Sequence, residues 1–98
     1  MRILEYIRFM LKPRQLERIV KGFANHRRIQ ILELLEDTPE LSVQEISQQL
    51  KINFKTASEH IRRLAISGLV LKRSRGINIL HKLTPQAESI LKFLRILE

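Results

Sequence analysis

The chain has 98 residues, no cysteine, an apolar share of 44% and a net charge of +8. That length makes one domain with a modest core, and the missing thiols exclude both a disulfide framework and a thiolate metal site. No apolar run is long enough to span a membrane. Glu5 comes early and no small-residue cleavage site follows it, so no secretory signal is expected and a cytoplasmic protein is.

Taken in order, apolar residues at 3, 4, 7, 10 and 11 give residues 1–12 an amphipathic helical pattern. Pro13 should end that helix or bend it. Residues 14–23 continue with Leu16, Ile19, Val20 and Phe23 on one stripe. Asn25 is a good N-cap for a helix over 26–36. Ile29, Ile31, Leu32, Leu34 and Leu35 make that helix the expected centre of the core. Asp37-Thr38-Pro39-Glu40 reads as a turn, and Leu41 is placed to form a single strand rung.

Ser42-Val43-Gln44-Glu45 matches a capping box, with Ile46 and Leu50 burying the short helix it starts. Lys51-Ile52-Asn53 is the following turn, and Asn53 caps a helix that runs to about Ser67. Ala57, Ile61 and Leu64 give this helix an inner stripe at i, i+4, i+7, while Lys55, Glu59 and Arg62 fall on the opposite side. Gly68 stops it in the left-handed conformation. Residues 69–74 then read as a strand, Arg75-Gly76 as the tight turn and residues 77–83 as the return strand. Thr84-Pro85 is an N-cap with proline at N1, opening a last helix with Ala87, Ile90, Leu91, Leu94 and Leu97.

The charge is unevenly placed. Residues 51–82 carry Lys51, Lys55, Arg62, Arg63, Lys72, Arg73, Arg75 and Lys82 against Glu59 alone, a net of +7. Residues 1–50 have a net of +1 and residues 83–98 a net of 0. A field so concentrated attracts a polyanion. Two short helices followed by a basic hairpin are also what a DNA-reading domain needs.

Five stretches carry a resemblance: residues 25–35, Leu41-Ser42-Val43-Gln44-Glu45-Ile46, Thr56 to Leu64, Gly68-Leu69-Val70, and Gly76 at the wing turn. In this order and spacing the chain resembles the ArsR-type winged-helix repressors. The resemblance implies a mainly α fold with a small β-hairpin wing, a winged helix-turn-helix. It divides the chain into terminal dimerisation helices (1–24 and 85–98), a helix-turn-helix (42–68) and a wing (69–83). It implies a homodimer that binds double-stranded DNA as a transcriptional regulator, expected to be a repressor. The recognition helix, 54–67, would lie in the major groove and the wing on the flanking DNA.

The apolar residues of the two terminal helices agree with a second subunit. Ile3, Ile7, Met10 and Leu11 of the first helix and Ile90, Leu91, Leu94 and Leu97 of the last are the expected seam. The other reading is that both helices cover their own core. On the DNA side, Lys51, Thr56, Arg63, Lys72, Arg73 and Arg75 form the expected phosphate set. Ser58 is either a further hydroxyl donor or a satisfied helix hydroxyl. Phe54, Lys55, Glu59 and Arg62 are the candidates for reading bases. The alternative for Phe54 is core packing, and that is the preferred reading. Glu59 either accepts from cytosine or holds Lys55 and Arg63 in place.

The chain also departs from the family. Metal-sensing members carry a Cys-x-Cys-type site where this sequence has Leu41-Ser42-Val43-Gln44, or a histidine and carboxylate set where the last helix has Glu88 and Glu98 without histidine. His26, His60 and His81 show no ligand spacing, so no metal and no cofactor are expected. Lys51 replaces the usual turn glycine, and Glu59 stands where a basic or amide residue is common. No nucleophile–base constellation or phosphate-cradling glycine loop suggests an enzyme. A membrane-surface role for the first helix, with Arg2, Arg8 and Lys12, is countered by Glu5 and its short length. The competing function is a winged-helix module for protein or RNA contact, which would not need so lopsided a charge. No effector is indicated.

Overall fold

The computed structural model describes residues 2–98, apart from the side chains of residues 6–11. Ile7, Met10 and Leu11 of the expected dimer seam therefore lie outside the described residues. In chain order the elements are α1 (Ile3–Phe23), α2 (His26–Asp37), α3 (Val43–Leu50), α4 (Phe54–Ile66), β1 (Val70–Arg75), β2 (Asn78–Leu83) and α5 (Pro85–Ile96).

α1 is one helix of 21 residues with Pro13 inside it, where the sequence suggested an end or a bend. A proline in a helix interior costs about 3 kcal/mol, through one lost hydrogen bond and a clash. Helical bonds continue on both sides of Pro13, and the far end of the helix is anchored. Phe23 is buried and Ile19 packs against the core. α2 runs through the centre as expected, with Ile31, Leu32 and Leu35 fully buried. Asn25 Oδ1 caps it, accepting from the Arg27 and Arg28 amides at 2.9 and 3.3 Å. Leu41 makes its single rung, pairing with His81 of β2. His81 is itself buried, and its Nδ1–H donates to the Leu41 carbonyl at 2.9 Å.

The capping box at α3 forms in both directions, Glu45 N to Ser42 Oγ at 3.2 Å and Ser42 N to Glu45 Oε1 at 3.0 Å. Lys51 closes α3 with a φ of 55°, a left-handed conformation that costs a non-glycine residue roughly 1–2 kcal/mol. That is the place where glycine is usual. Gly68 likewise ends α4 at φ 74°.

The wing turn lies one residue later than expected. Arg75 pairs with Asn78, so Arg75 belongs to β1 and the two turn residues are Gly76 and Ile77. Only Gly76 has positive φ (62°), the type II′ pattern that fits a two-residue hairpin. The apolar Ile77 is thereby left fully exposed at the tip. At the other end, Thr84 Oγ1 caps α5 through the Ala87 amide and also donates to the Gly68 carbonyl at 2.8 Å, tying α5 to the end of α4.

α5 packs on α2 and β2. Ala87 and Leu91 enter the core, with Ile90 and Leu94 packed against it. Leu91, 2% exposed, is therefore a residue of its own chain's core and not of the expected dimer seam. The helix turns its Leu91 side inward and leaves Phe93, Ile96 and Leu97 outside.

Candidate nucleic-acid interface

α4 is built to show one face and hide the other. Asn53 starts it, its Oδ1 accepting from the Lys55 and Thr56 amides at 2.8 and 3.3 Å. Ala57, Ile61 and Leu64 are buried, and α4 packs against α3, α2, α1 and β1. Lys55, Thr56, Ser58, Glu59, Arg62 and Arg63 are all exposed, and Lys51 is exposed in the turn before them. The Asn53 cap occupies two of the amides that a phosphate could use at this helix end, and the Thr56 and Ser58 hydroxyls stand exposed beside it.

Phe54 is 55% exposed, contrary to the preferred core reading. Its spacing puts it in phase with Ala57, but as the first residue of the helix it overhangs the core. An exposed aromatic beside Lys55 is free to meet a thymine methyl.

Glu59 is the organising residue of the outer face. Arg62 donates to it twice, Nε to Oε2 at 3.0 Å and a terminal nitrogen to Oε1 at 2.8 Å. Arg63 adds Nε to Oε1 at 3.2 Å. Its partners are thus Arg62 and Arg63; Lys55, one of the two expected, is not among them. The Arg62 hydrogen bonds, joined by that from Arg63, hold the Glu59 carboxyl at a pKa of about 2. The two arginines and one carboxylate form a charge-assisted cluster in which Glu59 stays ionised at any physiological pH.

Behind this face lies a node that charge counting did not flag. Arg28 of α2 donates Nε–H to His60 Nδ1 of α4 at 3.1 Å, and a terminal nitrogen to the Lys21 and Gly22 carbonyls of α1, each at 3.3 Å. One side chain ties three helices. Burial, aided by the Arg28 charge, lowers the His60 pKa, and the Arg28 bond requires an unprotonated Nδ1. Arg28 sits in the nearly neutral half of the sequence, so its role has no signature in composition.

The wing cations do not form one face. Alternation along β1 sets Lys72 on the side of buried Val70, and Arg73 and Arg75 on the other. Arg73 pairs with Glu40 of the α2–α3 turn at 2.5 Å, and that hydrogen bond lowers the Glu40 pKa. Lys72 and Arg75 are exposed. Among the described residues no three His, Asp or Glu side chains come together as a metal site, and no helix is long and apolar enough to cross a membrane.

A helix-turn-helix whose second helix presents an ordered cationic face, followed by a basic hairpin, defines a winged helix-turn-helix DNA-binding protein. The comparisons give the family. Residues 25–72 match the family model described as bacterial regulatory protein, arsR family. The homodimeric winged helix-turn-helix DNA-binding domain of a possible ArsR-family regulator from Mycobacterium bovis is 28% identical, with a TM-score of 0.82 over 90% of this chain and 82% of that one. Reduced HlyU from Vibrio cholerae is 30% identical, with a TM-score of 0.79 over 92% and 95%. The transcriptional regulator HlyU from Vibrio vulnificus is 28% identical, with a TM-score of 0.75 over 95% and 97%. No curated protein matches. The chain belongs to the ArsR family of bacterial regulatory proteins.

Proposed function

We propose that this chain is a sequence-specific, double-stranded DNA-binding transcriptional regulator of the cytoplasm that acts as a homodimer and represses by occupying its operator. α4 enters the major groove, and the β1–β2 hairpin lies along the flanking DNA. The observation that carries this reading is the outer face of α4, where Glu59 presets Arg62 and Arg63 beside exposed Lys55, Thr56 and Phe54. Arg62 or Lys55 bonds guanine O6 and N7; Lys51, Thr56, Ser58, Arg63, Lys72, Arg73 and Arg75 supply phosphate contacts. Glu59 acts first through the arginines it holds.

The dimer uses apolar surface that the core leaves uncovered. Ile3, Leu4, Leu16 and Val20 of α1 and Phe93, Ile96 and Leu97 of α5 are exposed, with Ile90 and Leu94 half-buried beside them. The homodimeric Mycobacterium bovis relative supports this arrangement. Leu4, Leu16, Val20, Phe93 and Ile96 were not in the expected seam; only the burial pattern of each helix distinguishes them from core residues.

Selection of bound duplexes from a random pool, at two salt concentrations, tests the proposal. A two-fold symmetric motif with half-sites one helical turn apart, about 34–36 Å, is the expected result. No enrichment at either salt would instead favour a protein- or RNA-contact module.

A further inference from the structure

The last turn of α4 faces the last turns of α1 across a recess of about 450 Å³. Its floor is a close helix contact. Gly22 has no side chain, and a Cβ there would fall 2.0 Å from Ser67 Oγ. Around that floor stand four cations from three helices, Arg18 and Lys21 of α1, Arg28 of α2 and Arg63 of α4, with Ile66 as an apolar wall. No carboxylate is among the lining residues, although Lys21 Nζ pairs with the exposed Glu17 at 3.0 Å. The partial negative charge of two helix C-termini favours cations here, and it accounts for Arg28, which bonds the α1 carbonyls. It accounts as well for Lys21 and Arg63, in the last turns of α1 and α4, but not for Arg18, more than a turn before the end of α1.

We propose that this recess is a binding site for a phosphorylated small molecule. Guanidinium groups match phosphate oxygens in a forked geometry. The volume lies in the range of small-ligand pockets, roughly 300–1,000 Å³, and exceeds what a lone phosphate fills. Ile66 offers a surface for an organic remainder. A duplex phosphate has the same chemistry, but it sits on a continuous rail, whereas this site is a recess floored by packed helices. Arg63 is shared between the recess and the Glu59 cluster. A ligand that draws Arg63 inward leaves Glu59 to Arg62 alone and changes the surface presented to DNA. That consequence rests on the DNA-binding reading; occupancy of the recess does not.

The test uses the full chain, labelled with ¹⁵N and titrated with inorganic pyrophosphate at fixed ionic strength without DNA. Saturable shifts at the Gly22, Arg28 and Ser67 amides and at the Arg63 Nε–H are expected. The doubly substituted Arg18→Ala, Lys21→Ala protein should bind pyrophosphate about ten-fold more weakly or worse. Both side chains are exposed, so the fold should be unaffected. Shifts that fail to saturate, or that persist unchanged in the double variant, overturn the site. A second arm titrates a random duplex. If the double variant loses duplex affinity and salt slope but keeps its pyrophosphate affinity, the cations are a DNA-backbone contact and the proposal is wrong.

Discussion

The arginines of α4 and those of the wing carry the same charge in different mechanical settings. Arg62 and Arg63 are held by one carboxylate on a helix whose other face is buried. On the wing, Arg73 is tethered to Glu40, while Arg75 ends an exposed strand next to the turn. A guanidinium fixed in direction can discriminate one base edge from another, because misplacement forfeits both of its hydrogen bonds. One on a hairpin tip can follow the phosphate backbone wherever it runs. On the proposed function, specificity falls to α4 and sequence-independent affinity to the wing.

The largest expected effect is on α4. Arg62→Ala should alter the preferred base at one position of each half-site, at a cost of about 1–3 kcal/mol on the original sequence. An unchanged selected motif at every position would remove Arg62 from base reading. A smaller and more uniform effect is expected from Arg75→Ala. It should weaken every duplex alike and make the slope of log affinity in log salt shallower by about 0.9. Sequence-dependent losses would mean that the wing reads bases after all.

The smallest effect concerns pH. Glu59, with a pKa of about 2, stays charged throughout the neutral range, so the contrast between α4 and wing should not change between pH 5 and 8. His60 and His81 are both lowered from 6.5, chiefly by burial. A group depressed in the folded state stabilises it above the unfolded pKa and loses that contribution as pH falls towards the folded value. Thermal stability should therefore decline from about pH 6.5 downward. A melting temperature that holds level or rises over that interval would contradict the neutral His60–Arg28 bond.

Most of the scaffold was legible because it depends on local rules. The capping box at Ser42, the Asn53 cap, the α4 inner stripe and the Thr84-Pro85 start of α5 are properties of a few adjacent residues. The errors fell where distant packing decides. Pro13 allows an end or a bend, and the helix does not end there; the anchoring of Phe23 is not visible in the sequence around the proline. Phe54 has the phase of a core residue but no neighbour to cover it, and Leu91 looks like its exposed neighbours until α2 is set against it. Gly76 marked the wing correctly, yet the type II′ geometry moved the turn onto Ile77. At the candidate site, the identities of the cations came from charge density and family pattern. Their organisation did not. The choice of Arg62 over Lys55 as Glu59's main partner is settled by side-chain reach on a real helix, and Arg28 bridging three helices is a tertiary fact.

The central claim is that Glu59 gives α4 its discrimination by holding Arg62 and Arg63. Its most direct test is an equilibrium titration of wild-type and Glu59→Gln protein against the selected duplex and a scrambled one, at the same salt. The substitution removes a negative charge, so both affinities should rise or hold, but the scrambled duplex should gain more and the ratio between the two should fall. If Glu59→Gln leaves that ratio unchanged, the carboxylate does not set specificity.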